Sequence, residues 1–144
     1  AADRKKFDLC FYPGNGAGGN GMVLRLYTAW GKKFAVLMDG DDAGIEAKAK
    51  YIDEIGISLQ EKCLPLCDIS SRWKDKSIED LFSAAERMKI TKSIFPKITT
   101  YSKAYFNEAI QNLIATKTPL AVSEQTLDRF KKIFEKVRHS LDQQ

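Results

Sequence analysis

The chain has 144 residues, of which 44% are hydrophobic and 29% charged, a balance that fits one soluble globular domain or a domain with a helical appendage. No apolar run approaches the ~20 residues of a membrane span, and the start, Ala1-Ala2-Asp3-Arg4-Lys5-Lys6, lacks the apolar segment of a signal peptide. Net charge is +4: residues 1–72 hold ten Lys/Arg against ten Asp/Glu, and residues 73–144 hold 13 against nine, so the excess lies in the second half.

In chain order, Phe7 to Tyr12 reads as a strand, followed by the glycine-rich loop Pro13-Gly14-Asn15-Gly16-Ala17-Gly18-Gly19-Asn20-Gly21. Met22, Val23, Leu26, Tyr27 and Trp30 recur at helical spacing, and Gly31 can stop that helix. Lys33 to Met38 reads as a strand whose continuous apolar run suits burial on both faces. Ile45, Ala49, Ile52 and Ile55 mark a second amphipathic helix ending at Gly56, and residues 62–67 read as a short third strand. Strand–helix–strand–helix–strand predicts a parallel α/β sheet with right-handed crossovers over residues 1–72. Residues 73–144 form a helical extension. Asp68 to Ser77 is a polar connector containing Trp73, and Ile78, Leu81, Phe82 and Ala85 define a helix. Pro96 and Thr99-Thr100 interrupt the chain; Tyr105, Phe106, Ala109, Ile110, Leu113 and Ile114 form the next stripe. Ser123 is a good N-cap for the last helix, where Leu127, Phe130, Phe134, Val137 and Leu141 are expected to pack inward.

Cys10, Cys63 and Cys67 are an odd set without a disulfide framework, and the only histidine, His139, lies near the C-terminus, so zinc is disfavoured. Buried, reduced thiols are expected, with Cys63 and Cys67 on one side of a strand, and a cytoplasmic location follows from that usage.

Chemistry concentrates in Asp39-Gly40-Asp41-Asp42-Ala43-Gly44, at the end of an apolar strand. Two like charges at ~4 Å repel by ~1 kcal/mol in water and ~4 kcal/mol at an effective dielectric of 20, a cost that a cation removes. Mg²⁺ prefers such oxygens and binds through one or two carboxylates plus substrate phosphates. A solvated Asp/Gly turn is the plain alternative. Gly14-x-Gly16-x-x-Gly19, with Asp39 about 20 residues on, also matches the dinucleotide fingerprint, yet that reading leaves Asp41 and Gly44 without a role. A Walker loop is excluded because no Gly-Lys-Ser/Thr follows; a haloacid-dehalogenase pattern lacks its Thr or Val where Ala43 stands. From Arg87 to Lys103 there are five basic residues and no acid, and Arg87, Lys89, Lys92 and Lys97 are candidate nucleic-acid contacts, with a solvated face as the alternative.

Glycine loop, hydrophobic helix, apolar strand and acidic turn together, over residues 7–56, resemble a Toprim domain, the metal-binding α/β module of topoisomerases, primases and certain nucleases. Ser77-Ile78-Glu79-Asp80-Leu81-Phe82, followed by Lys103 before a helix, resembles the C-terminal region of OLD-family ATP-dependent endonucleases. The resemblance implies a Toprim-like Rossmannoid three-layer parallel sheet, incomplete at its first strand. It implies a two-metal DNA endonuclease in which Asp39 and Asp41 hold Mg²⁺ or Mn²⁺ with help from Asp42. Lys103 would stabilise transition-state charge, and Gly14, Gly16 and Gly18 would let the backbone approach metal or phosphate. Glu79 and Asp80 would serve a metal or the N-terminus of their own helix. Toprim domains also carry a glutamate on a first strand, and here no Glu precedes Glu46. The implied partners are therefore DNA, a glutamate-bearing N-terminal segment, an ATPase domain or subunit, and further copies of the chain. An inactive Toprim-like module that docks on DNA or an ATPase is the alternative.

Overall fold

The computed structural model describes residues 9–14, 16 and 18–144. Helix α1 (Gly21–Ala29) leads through Gly31, whose φ of 60° suits glycine, to strand β1 (Val36–Met38). Helix α2 (Asp42–Ile55) crosses to strand β2 (Cys63–Pro65), which pairs parallel with β1 in the register Val36↔Cys63, Leu37↔Leu64 and Met38↔Pro65. The chain then turns into α3 (Leu66–Ile69), two 3-10 turns (Ser71–Trp73 and Ile78–Leu81), α4 (Ala84–Ile94), α5 (Lys103–Ala115) and α6 (Glu124–Asp142). The fold is mixed α/β, with a small two-stranded parallel sheet and helices dominating the second half.

Three local expectations are corrected. Residues 9–12 form no strand, and Leu9, Cys10, Phe11 and Tyr12 are exposed; Phe7 and Asp8 lie outside the described residues. An apolar run becomes a strand only where a neighbouring edge takes its hydrogen bonds. The strand over 62–67 is limited to Cys63–Pro65, because after Pro65 the chain enters α3 and carries Cys67 onto a helix. Cys63 is therefore buried, Cys67 half-buried and Cys10 exposed, rather than all three being buried. Burial pushes the Cys63 thiol up to about 11, so it stays protonated at neutral pH.

The helical stripes rotate from their sequence assignment. In α1 it is Leu24 that is buried, with Tyr27 packed on Phe34, whereas Met22, Leu26 and Trp30 are exposed. In α2 the inward line is Gly44, Ala47 and Tyr51, flanked by half-buried Ile52 and Ile55, while Ile45 and Ala49 point outward. In α5, Phe106, Ala109 and Leu113 are buried but Tyr105 and Ile114 are exposed. In α6, Thr126, Ile133, Ser140 and Leu141 are buried with Phe130 and Val137 beside them, leaving Leu127 and Phe134 outside. Trp73 in the polar connector is buried, in a cluster with Leu66, Leu81 and Ile133 that Leu37 of β1 also joins. Among the described residues no helix is long and apolar enough to cross a membrane.

Candidate functional site

The acidic turn is fixed by its two glycines. A Cβ on Gly40 would collide with the Trp73 carbonyl oxygen, and one on Gly44 with the Asp39 carbonyl oxygen. The Gly40 N–H donates to the Lys76 carbonyl (2.8 Å), and the Asp75 N–H donates back to the Gly40 carbonyl (2.9 Å). These bonds lash the acidic turn to residues 73–76 and bring the next 3-10 turn over Asp39. The Ile78 N–H then donates to Asp39 Oδ1 (3.1 Å). Asp41 caps α2, its Oδ1 accepting from the Gly44 N–H at 2.9 Å. Asp39 and Asp41 each keep a second carboxylate oxygen that makes no hydrogen bond or ion pair to the other described residues.

Both carboxylates line a cleft of about 820 Å³ together with Glu79, Lys103, Gly14, Gly16, Asn20 and Asn107. Its remaining lining is apolar: Val36, Leu37 and Met38 of β1, Ala43, and Ile78, Phe82, Phe106, Ile110, Leu120 and Phe130. The cleft thus draws on residues from 14 to 130. Lys103 pairs with Glu79 Oε1 at 2.5 Å. Burial pushes the Asp39 carboxyl above its ordinary value; the charges of Glu79 and Asp41 add to this, while the Ile78 hydrogen bond and Lys103 oppose it. The Glu79 hydrogen bond raises the Lys103 ammonium, against a desolvation that lowers it.

Other predicted site residues lie elsewhere. Asp42 is exposed at the start of α2, outside the cleft lining, and pairs with Lys74 at 2.6 Å. Gly18 is exposed and does not line the cleft. Arg87 is half-buried, paired with Asp80 at 2.9 Å and stacked 4.9 Å over Tyr101. Lys89, Lys92 and Lys97 are exposed. Asp80 belongs to a capping box with Ser77: burial pushes it up, but bonds from the Ser77 N–H and hydroxyl, with Arg87 nearby, hold it below its ordinary value. Two asparagines escaped the sequence reading. Asn20 Nδ2 donates to the Gly16 carbonyl (3.0 Å) and steadies the glycine loop; its position between a loop and a helix was the available signal. Asn107, one turn after Lys103 on α5, carried no such signal.

Of the two edges of β1, one is without a paired strand among the described residues. The Val36 N–H donates to Lys62 on the β2 side, so strand alternation points the backbone groups of Ala35 and Leu37 the other way. Among the described residues no strand pairs with that edge.

No family model, curated protein or solved structure matches the chain. The chemistry of the site is read from its own side chains. Among the described residues no three His, Cys, Asp or Glu side chains are grouped to hold a metal ion by themselves. Asp39 and Asp41, each with an oxygen to spare, fit the looser set of Mg²⁺ or Mn²⁺, in which one or two carboxylates share the ion with water and phosphate.

Proposed function

We propose that this chain is the Toprim-like portion of a metal-dependent DNA endonuclease related to the OLD family. The observation that carries this reading is the meeting of Asp39, Asp41, Glu79 and Lys103 with the glycine loop in one cleft, from positions far apart in sequence. Asp39 and Asp41 hold a divalent ion. When bound, such ions activate water and stabilise the leaving oxygen of a phosphodiester. Lys103 offers its ammonium to the developing phosphate charge, and Gly14 and Gly16, without side chains, let the backbone come close to phosphate. Asp42 contributes only charge, since it is engaged with Lys74 outside the cleft.

The edge of β1 that no described strand pairs with supports the further partner in this reading. A glutamate-bearing strand paired along Ala35 and Leu37 would run toward Asp39 and Asp41 and complete the acidic set. Exposed Lys89, Lys92 and Lys97 favour a role in DNA contact, and they also support a second reading in which the chain binds DNA without cutting it. The two are separated by joining the chain to a glutamate-bearing strand and assaying plasmid DNA with Mn²⁺. Cleavage that Asp39→Ala abolishes is the expected result. Cleavage unaffected by that substitution, or none while DNA binding persists, rejects the endonuclease reading.

A further inference from the structure

Lys103 is the first residue of α5, a helix with no acid in its first turn, so its charge faces the positive end of the helix dipole. Helix stability does not explain a lysine there. Its side chain is 58% exposed while that of its partner Glu79 is 13% exposed, which makes the lysine the movable member of the pair. The same ammonium lines the cleft into which Asp39, at the end of β1, also faces. Lys103 and Glu79 thus form an ion pair inside the cleft that Asp39 and Asp41 also line.

We propose that Lys103 is a built-in substitute cation, neutralising Glu79 in the metal-free protein and leaving it when a divalent ion arrives at Asp39 and Asp41 in the same cleft. This rests on the metal reading above and adds a competition to it. A divalent ion held by Asp39 and Asp41 repels an ammonium in the same cleft, and that repulsion drives the lysine off Glu79. The flexible stem then swings toward the part of the cleft where a phosphate would lie. Ion binding and phosphate contact become coupled: the lysine that blocks the site when it is empty becomes a substrate contact when it is filled.

Competition has a sign that a plain phosphate contact lacks. Mn²⁺ affinity is measured by spin resonance of the free ion at low salt, on the chain alone, for the parent and for Lys103→Met, Lys103→Gln and Lys103→Arg. Removing the charge should tighten Mn²⁺ binding about fivefold to tenfold, and Lys103→Arg should stay near the parent. Lys132→Met, on exposed α6 surface, measures the effect of one lost charge and should change binding less than twofold. If the parent binds Mn²⁺ and the neutral variants bind it equally or more weakly while remaining folded by circular dichroism, the competition is refuted. If the parent does not bind Mn²⁺, the metal reading itself fails and the competition with it.

Discussion

Asp39 sits where fold and chemistry disagree. Burial and the charges of Glu79 and Asp41 raise its carboxyl above 3.8, so the folded chain holds that proton more tightly than the unfolded chain. The resulting stabilisation is complete below the unfolded value and is lost as pH rises through the folded one. At pH 7 the ionised group is a burden, one that the divalent ion of the proposed function would relieve. Asp39→Asn keeps an oxygen to accept the Ile78 N–H and removes the charge. It should raise the stability of the metal-free protein by about 1 kcal/mol after solvent screening, seen as roughly 3 °C in a thermal melt, and weaken Mn²⁺ binding at least tenfold. A variant that melts lower than its parent would contradict this account. Gly40 and Gly44 show why the acidic turn has its spacing. They are the points where the backbone is packed too closely for a side chain, and they aim Asp39 and Asp41 into one cleft.

At the scale of elements, Glu86 joins two helices. It closes the capping box of α4 with Ser83, and its carboxylate also accepts from the Ser123 N–H (2.6 Å) and the Thr126 hydroxyl (2.7 Å) at the start of α6. Burial works against its charge, but the hydrogen bonds from Ser123, Ser83 and Thr126 prevail and hold it at about 2. A carboxyl depressed in the folded state stabilises above its unfolded value of 4.5 and loses that contribution as pH falls toward 2. Glu86→Gln should therefore cost about 1–2 kcal/mol in urea unfolding at pH 7, with the gap to the parent closing near pH 2. A gap independent of pH would show that packing, not charge, ties these helices. The box follows the local pattern Ser83-x-x-Glu86, yet the helix expected through Ile78, Leu81, Phe82 and Ala85 runs across it, and the structure instead ends a 3-10 turn at Leu81 and starts α4 at Ala84; the link to α6 spans 37 residues and left no local trace.

For the whole molecule, the last helix binds the two halves of the chain together. The Ser140 hydroxyl donates to the Glu61 carbonyl (2.7 Å), and Lys33 Nζ donates to the Leu141 carbonyl (3.3 Å). The Gln144 side-chain amide both accepts from the Phe34 N–H (3.2 Å) and donates to its carbonyl (2.8 Å), as a neighbouring strand would. Gln144→Ala should lower stability by about 1–2 kcal/mol and speed amide exchange at Phe34 relative to β1 itself. Unchanged exchange at Phe34 would remove Gln144 from this role.

Sequence alone determined the features set by local chemistry. Gly31 ends α1, Ser123 caps α6, Pro96 follows the end of α4, and the acidic turn follows an apolar strand. Each depends on residues within a few positions of one another. Tertiary structure decided which face of each helix is buried, that residues 9–12 form no strand, and that Arg87 pairs with Asp80 while Glu79 and Lys103 meet in the cleft that Asp39 lines. The physical reason is that periodicity fixes the spacing of a stripe, but only a neighbour from elsewhere in the chain fixes its direction. The cleft is the clearest case: its carboxylates lie on short local segments, yet their shared volume exists only because residues 73–76 bond to Gly40 and bring Glu79 above Asp39.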